Sequence, residues 1–192
     1  MRKVGGFVVL LALLPVAALA EERTPRGEFF GGYSYFGADL GGAGLNLNGF
    51  NFAMTENVNS WFGATVDFSS HYGNMVTLVP TTPTAASGGS TTTSVNAASV
   101  MLGPVFSYRK SPGVTPFVHV LIGAVRGSEG YLGISKSDSE LGLAFGGGLD
   151  VKVTRNLAVR VVQADYITTK FNEVRQSNLR VSAGLVLRFS FK

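Results

Sequence analysis

The last fifteen residues of the chain, Asn178 to Lys192, alternate between two kinds of side chain. One parity is apolar without interruption and comprises Leu179, Val181, Ala183, Leu185, Leu187, Phe189 and Phe191. The other combines Arg180 and Arg188 with small residues such as Ser182 and Gly184. A period of two indicates a β-strand whose faces meet different surroundings. Because arginine mixed with glycine and serine fits a crowded polar interior, the pattern predicts lipid on one face and a narrow lumen on the other.

Similar alternation recurs along the chain, in segments near the roughly 9 to 11 residues that a tilted strand needs to cross a membrane. The eight predicted strands are Glu28–Phe36, Leu45–Met54, Ser60–Ser70, Ala97–Arg109, Thr115–Gly127, Ser139–Lys152, Leu157–Thr169 and Leu179–Phe191. The sequence therefore predicts an all-β fold, an eight-stranded antiparallel transmembrane β-barrel with up-and-down meander topology.

The connections between these segments alternate in length. Three are short, namely Thr55–Asn59, Lys110–Val114 and Val153–Asn156. Four are longer, namely Gly37–Gly44, His71–Asn96, Ser128–Asp138 and Lys170–Asn178. Short periplasmic turns and long extracellular loops produce this alternation. The longest connection holds an uncharged tract, Thr81–Thr93, which predicts a mobile extracellular loop that serves recognition or is a solvated segment under little constraint.

Parity within the strands predicts which side chains face lipid. Outward positions are Phe62, Ala64, Val66 and Phe68 in the third strand and Leu141, Leu143, Phe145, Leu149 and Val151 in the sixth. An Arg or Lys on the lipid face near the midplane costs about 2 to 4 kcal/mol, so mid-strand charges are expected inside. The predicted lumenal polar network comprises Glu28, Asp67, Arg109, His119, Glu140, Asp150, Asp165, Arg180 and Arg188.

Two positions break the regular pattern. In the seventh strand Arg160 and Asp165 lie on opposite parities. A β-bulge between Val161 and Gln163 would place both inside; without one, Arg160 must extend to the periplasmic rim. Pro104 lacks a backbone donor within a closed sheet, so a local irregularity is expected beside it.

The N-terminus has the layout of a secretory signal peptide. Arg2 and Lys3 precede an apolar run, and the small residues Ala18 and Ala20 form a cleavage site before Glu21. Residues 1–20 are therefore predicted to be a signal peptide and residues 21–192 a barrel domain. Loss of Arg2 and Lys3 would lower the net charge from +4 to about +2, which argues against a nucleic-acid partner.

Composition excludes several kinds of chemistry. The chain has no cysteine, so disulfides and thiolate metal sites are absent. Charged residues make up 15%, against about 25% in soluble domains, which indicates a surface that largely avoids water. The two histidines, His71 and His119, have no ligand-spaced partners, so no metal and no cofactor is expected. No Ser/His/acid spacing of a membrane esterase is present, and an enzymatic function is not predicted.

The chain resembles the bacterial outer-membrane β-barrel domain family, which includes the OmpA-type and OmpX-type eight-stranded barrels and many porin-family proteins. The resemblance rests on Phe30–Tyr35, Phe106–Arg109, Phe145–Asp150 and Ala183–Phe189, which occur in the first, fourth, sixth and last predicted strands. It implies location in the bacterial outer membrane and contact with its lipid. It further implies biogenesis through periplasmic chaperones and the barrel assembly machinery, with Leu187, Phe189 and Phe191 as the C-terminal assembly signal.

Three functional hypotheses remain at this stage. The first is a structural or surface-recognition protein whose lumen is plugged by its own side chains, because eight strands enclose only enough room for side chains. The second is a narrow porin-like channel for ions or small solutes. The third is a soluble lipocalin-like barrel, which requires the two strand faces to be reversed. The surface ligand is not specified by the sequence.

Overall fold

A computed structural model of the chain describes residues 24–39, 44–79, 89–111, 113–131, 134–171 and 174–190. It contains β1 (Gly27–Asp39), β2 (Gly44–Asn57), β3 (Phe62–Val79), β4 (Gly89–Ser107), β5 (Val114–Tyr131), β6 (Ile134–Lys152), β7 (Leu157–Phe171) and β8 (Val174–Phe189). Each strand pairs antiparallel with its sequence neighbour, and β8 pairs with β1 to close the barrel. The predicted eight-stranded meander is confirmed. The predicted signal peptide lies outside the described residues.

The predicted loop lengths are wrong at the extracellular end. β3 continues to Val79 and β4 begins at Gly89, so much of the expected loop His71–Asn96 forms paired strands. The stretch Ser90–Thr93 of the Thr/Ser-rich tract belongs to β4, and residues 81–88 lie outside the described residues. Threonine and valine favour the extended conformation, and this local preference extends the hairpin where composition alone indicated a loop.

Two glycines lie opposite each other at the seam between β1 and β8. Gly32 and Gly184 are paired in the register of the two strands. A Cβ atom on Gly32 would collide with the Ala183 carbonyl oxygen, and one on Gly184 would collide with the Gly31 carbonyl oxygen. The backbones approach so closely here that only glycine fits on both sides.

The outer surface is apolar, as the parity argument predicts. Large exposed side chains include Phe29, Phe52, Val66, Phe68, Val100, Leu102, Val118, Val120, Ile122, Leu141, Leu143, Phe145, Val161, Leu179, Leu185, Leu187 and Phe189. Such a surface is covered by lipid in a membrane barrel, and the reversed faces of a soluble lipocalin-like barrel are ruled out. Among the described residues there is no helix long and apolar enough to cross a membrane.

Pairing between β4 and β5 is interrupted beside the proline. The register pairs Leu102 with Ile122 and then Val105 with His119, and it omits Gly103 and Pro104. The same two residues remain paired with β3. The predicted irregularity is confirmed, and it is a local gap without a change of register because Pro104 lacks only its own donor.

Candidate functional site in the barrel lumen

Ionic and imidazole side chains from six strands lie in the periplasmic half and middle of the bore. The end at which the described chain begins and finishes, and which holds the turns at residues 58–61, 108–113 and 153–156, is the predicted periplasmic end. The buried ionic or imidazole side chains are Glu28 on β1, Asp67 and His71 on β3, His119 on β5, Asp150 on β6, Arg160 and Asp165 on β7, and Arg180 and Arg188 on β8. Arg109, just after β4, joins them from the periplasmic rim.

Arg180 is the centre of this arrangement and is completely buried. Its Nη1 donates to Asp67 Oδ1 over 2.6 Å, and its Nε donates to Asp165 Oδ2 over 2.8 Å. Asp67 also accepts a hydrogen bond from Asn51 Nδ2 at 2.8 Å, and His119 Nε2 lies 2.7 Å from Asp165 Oδ1. Because β3 and β7 lie on opposite sides of an eight-stranded barrel, one guanidinium connects two walls of the bore.

A bulge in β7 brings a second arginine inside. The register shifts between Arg160 and Gln163, so Val161 and Val162 both face outward while the residues on either side face inward. Of the two alternatives for Arg160, the structure has the β-bulge and not the extension to the rim. Arg160 donates to Asp150 through Nε at 2.8 Å and to Gln163 through Nη1 at 2.7 Å. Its guanidinium carbon also lies 4.4 Å and 4.2 Å from the ring centroids of Phe30 and Phe117.

The periplasmic mouth holds a separate set of ion pairs. Glu28 accepts two hydrogen bonds from Arg109, at 3.0 and 3.1 Å. Arg188 Nε lies 3.0 Å from the same carboxylate, and its Nη2 lies 3.9 Å from Asp150. Asp150 therefore links this mouth cluster to Arg160 and, through Gln163, to the central cluster.

The paired charges balance. The carboxylates are those of Glu28, Asp67, Asp150 and Asp165, and the guanidiniums are those of Arg109, Arg160, Arg180 and Arg188. Burial of charges without partners costs several kcal/mol each, so this neutrality is a condition for a packed bore. Glu140 is the exception among the predicted network residues: it is half-buried, lies nearer the extracellular end and takes no part in these pairs.

Sequence reasoning missed His71 as a member of the site. His71 was placed in a loop, but it lies in β3, where its Nε2 is 2.8 Å from Ser34 Oγ, and Ser182 Oγ donates to the same hydroxyl at 2.9 Å. The parity that carries Thr65 and Asp67 inward continues to His71 and could have found it.

An apolar layer lies in the bore on the extracellular side of the ionic network, which the sequence did not predict. It consists of Phe36, Leu45, Leu47, Val95, Met101, Leu121, Val125, Ala144 and Ile167. A smaller cluster on the periplasmic side consists of Phe30, Ala53, Ala158 and Val186. Because Phe30 pairs with Val186 and Glu28 pairs with Arg188, this smaller cluster lies between the mouth ion pairs and the central ones. Only the central ion pairs around Arg180 therefore have an apolar layer on each side, where a low local dielectric strengthens them.

A small polar cavity remains within the network. It has a volume of about 20 Å³ and is bordered by Glu28, Thr65, Asp67, His119, Asp150 and Gln163, among others. This volume suffices for one or two water molecules, which need polar partners of this kind. No group of three or more His, Asp or Glu residues within the described segments has the arrangement of a metal site.

Gly146 provides the space for the Asp165 carboxylate, and its replacement tests the packing of the site. A Cβ atom at Gly146 would overlap Asp165 Oδ1 and lie 2.6 Å from the Ala164 carbonyl oxygen. Gly146→Ala is therefore expected to lower the free energy of unfolding by about 1 to 3 kcal/mol, as overpacking does. Urea unfolding in lipid vesicles measures this. Gly127→Ala is the matched control, because a Cβ there meets nothing within 4 Å; equal losses in the two variants would contradict the packing argument.

A closed barrel with an apolar exterior and its ionic groups in the bore is the architecture of an integral outer-membrane protein. The family model of the outer membrane protein β-barrel domain matches residues 6–189. The chain belongs to this family and is a bacterial outer-membrane protein. A comparison with curated protein sequences finds no match.

Solved structures support the same fold. The attachment invasion locus protein Ail of Yersinia pestis, in complex with the heparin analogue sucrose octasulfate, matches at 22% identity and a TM-score of 0.57, over 85% of this chain and 99% of that chain. Neisserial surface protein A matches at 13% identity and a TM-score of 0.66, over 85% and 97%. OprG of Pseudomonas aeruginosa matches at 10% identity and a TM-score of 0.57, over 88% and 98%.

Proposed function

We propose that the protein is a structural or surface-recognition barrel whose lumen is plugged by its own side chains. The observation that carries the proposal is the bridge from Asp67 through Arg180 to Asp165, which joins opposite walls of the bore through hydrogen bonds of 2.6 and 2.8 Å. An ion that passes this level has to break a buried charge pair. Removing one partner of such a pair typically costs about 3 to 5 kcal/mol.

The apolar layer supports the same proposal independently. Leu47, Met101, Leu121 and Ile167 lie at most 1% exposed directly above the ionic network. An eight-stranded barrel is just wide enough for its side chains to fill the interior. Hydration of an ion cannot be maintained in such a layer, so the bore has two successive barriers of opposite chemistry.

Single-channel recording in a planar bilayer tests the plug. The wild-type protein is expected to give no reproducible open events, because both barriers are intact. The matched variant Asp67→Asn/Asp165→Asn/Arg180→Met removes the ionic bridge but keeps the apolar layer, and it is expected to remain closed as well. Reproducible wild-type openings that disappear in this variant would contradict the plugged lumen.

A narrow channel for ions or small solutes is the second candidate. It is favoured by the cavity of about 20 Å³ and by buried polar atoms with no hydrogen-bond partner in the described part of the chain, which include Arg109 Nε and Arg188 Nη2. These groups could line a hydrated path from the periplasmic mouth. The path would end below the apolar layer, which is why the plugged lumen is preferred.

A surface role is supported by the extension of the β3–β4 hairpin. The last β2–β3 pair is Asn48 with Tyr72, but β3 continues paired with β4 as far as Val79 with Gly89. Strands of 18 and 19 residues exceed what a membrane crossing requires, so this hairpin projects on the extracellular side. Ail, one of the structural neighbours, was solved with a heparin analogue, which is consistent with recognition on this fold.

The proposal includes the route to the membrane. Residues 1–20 serve as a cleaved signal peptide, and periplasmic chaperones and the barrel assembly machinery insert the barrel. Leu187 and Phe189, both on the outer face of β8, supply the assembly signal, whereas Phe191 lies outside the described residues. The proposed role is not enzymatic, since the Ser34 hydroxyl beside His71 is completely buried and not open to a substrate.

A further inference from the structure

Three stretches of strand at the extracellular end are paired on one side only among the described residues. β3 is paired with β2 no further than Tyr72, so Gly73–Val79 is paired with β4 alone. β6 is paired with β7 no further than Gly142, so Ile134–Leu141 is paired with β5 alone. At the tip of the long hairpin, Gly89–Thr93 of β4 is paired only with β3. Each stretch directs backbone N–H and C=O groups toward no described strand.

The three free edges differ in how their sequences protect them. Natural proteins place charged residues or proline on an exposed edge, because such residues prevent another chain from pairing with it. The β6 edge carries three charged residues, namely Lys136, Asp138 and Glu140. The β3 edge, Gly73–Val79, carries neither a charged residue nor a proline. Gly89–Thr93 of β4 is uncharged too, but it is shorter. The β3 edge is therefore the longest unprotected one.

Tyr72 shows where the β3 edge begins relative to the lipid. Its side chain faces outward and is 52% exposed, and its ring lies 6.4 Å from that of Phe50 on the lipid-facing wall. Its hydroxyl accepts a hydrogen bond from Ser70 Oγ at 2.9 Å. An outward aromatic ring with a hydrogen-bonded polar tip is typical of the membrane interface. Gly73–Val79 therefore begins at the interface and continues into the extracellular space, where another chain can reach it.

The symmetry of strand pairing determines how two copies of this edge can meet. Two copies that use the same edge form a two-fold contact, in which residue i faces residue j and j faces i. An antiparallel ladder has this symmetry because opposite residues exchange their hydrogen bonds, whereas the slanted bonds of a parallel ladder do not. Copies in one membrane all point the same way, so their β3 strands run parallel. Copies in two facing membranes point toward each other, and their β3 strands run antiparallel.

We propose that Gly73–Val79 pairs antiparallel with the same segment of a second copy on a facing membrane. This inference rests on the proposed surface role and names its partner. Val76, in the middle of the segment, lies opposite its own counterpart, and the two extracellular sheets join into one. A pair this short is weak by itself, but many copies in two apposed membranes act together. The protein thus mediates adhesion between cells that carry it.

Tethering of vesicles measures this pairing. The full-length barrel is reconstituted into two populations of phosphatidylcholine vesicles with different dyes, and the fraction of two-coloured particles is counted. Vesicles that both carry the wild-type protein are expected to cluster, whereas mixtures with protein-free vesicles are not, because each membrane must supply an edge. Absence of clustering between wild-type vesicles overturns the proposal. Clustering with protein-free vesicles also overturns it, because the protein then binds lipid.

A charge placed at Val76 tests the two-fold geometry. Val76→Lys on both vesicles is expected to reduce clustering by about fivefold or more, because like charges directly opposite each other destabilise a strand pair. Val76→Glu on both vesicles should have the same effect, and a mixture of Lys and Glu vesicles should restore clustering. If the mixture clusters no better than either variant alone, the edge does not pair with itself and the proposal is wrong.

Thr92→Lys is the matched control. Thr92 is paired with Val76 in the β3–β4 ladder, so the substitution places the same charge at the same height but one strand away from the β3 edge. At about 0.15 M salt, charges more than about 8 Å apart are largely screened, and clustering should be retained. A larger loss for Thr92→Lys than for Val76→Lys would place the contact at the β4 tip and overturn the assignment to β3.

Two further measurements make the result unambiguous. Heat-modifiable mobility verifies that each variant is folded before its clustering is compared. A dimer in detergent together with unclustered wild-type vesicles would mean that the copies meet within one membrane, which contradicts the facing arrangement. Failure of this inference is distinguishable from failure of the plugged barrel, because absent clustering leaves a closed single-channel record unchanged, whereas wild-type openings contradict the plug whatever the vesicles do.

Discussion

Deletion of Val181 is expected to prevent the barrel from folding, whereas deletion of Val162 is expected to be tolerated. Both valines belong to neighbouring strands, but their positions in the ladder differ. Val181 lies in a regular stretch of β8, so its loss reverses the facing of every side chain on one side of the deletion. If the C-terminal part of β8 keeps its register, Arg180 turns toward lipid. If the N-terminal part keeps its register, Arg188 does. An arginine at the midplane costs about 2 to 4 kcal/mol, in addition to the loss of its ion pairs.

In the β7 bulge neither Val161 nor Val162 is paired with β8, and only Val162 is paired with β6, opposite Leu149. The strand has one residue more than its neighbours here, and because the two residues are identical, deletion of Val162 removes that additional residue. Removing it leaves Arg160 inward, Val161 outward and Gln163 inward, which is the order that the bore requires. The expected cost is limited to the local loss of bend and twist. The two deletions therefore remove the same side chain from adjacent strands and differ in their effect on the facing of the strand.

Heat-modifiable electrophoretic mobility separates the outcomes, because an intact membrane barrel resists SDS until it is boiled. The Val162 deletion should retain a mobility shift and the Val181 deletion should lose it. Val181→Ala is the control for the side chain itself and should fold. Loss of the shift in both deletions would mean that the bulge is needed for closure, and retention in both would mean that the bore does not fix the register.

Arg180→Met is expected to produce the largest loss of stability among the single substitutions of the network. It leaves Asp67 and Asp165 buried without their shared cation, and loss of one partner of a buried pair costs about 3 to 5 kcal/mol. Methionine retains much of the length of the side chain, so the loss reports charge more than packing. Urea unfolding in lipid vesicles measures the free energy of unfolding. The unfolded fraction is detected by Trp61 fluorescence and by the electrophoretic mobility of samples that have not been boiled.

Two further variants distinguish loss of the central bridge from loss of an arginine in general. Arg109→Met removes the same group at the periplasmic rim, where the partner Glu28 keeps Arg188 as a second cation; a smaller loss is expected there, because no carboxylate is left without a cation. The triple variant Asp67→Asn/Asp165→Asn/Arg180→Met removes all three charges and should recover much of the stability. A loss for Arg180→Met that does not exceed that of Arg109→Met would show that the central bridge does not stabilise the barrel.

Local alternation predicted most of the barrel wall. The parity of Val66 and Phe68 against Asp67, and of Leu143 and Phe145 against Ala144, is reproduced in the structure. A side-chain period of two is fixed by the extended backbone, so it can be read without knowledge of the neighbouring strands. The conflict between Arg160 and Asp165 located the bulge for the same reason, since two charges on opposite parities cannot both avoid lipid in a regular strand.

Strand ends and the apolar layer could not be read in this way. Whether Ser90–Thr93 forms a strand depends on the presence of β3 as a partner, because a two-stranded ladder supplies hydrogen bonds that no local pattern displays. The sequence interpretation expected a polar interior, with polar or small side chains at the inward-facing positions. The structure places four large apolar side chains at such positions, namely Leu47, Met101, Leu121 and Ile167. Composition within one strand does not reveal which side chains of distant strands meet at one level of the bore.

The sequence by itself determined the facing of the regular strands, the number of strands and the membrane environment, because these follow from a backbone period and from the cost of placing charge in lipid. The facing of β7 was decided by its bulge. The tertiary structure alone decided which charges pair. Arg180 meets Asp67, which is 113 residues away in the chain, only because closure of the barrel brings β3 and β8 around one axis. Pairing across the bore is set by strand register and stagger, which belong to the closed cylinder as a whole.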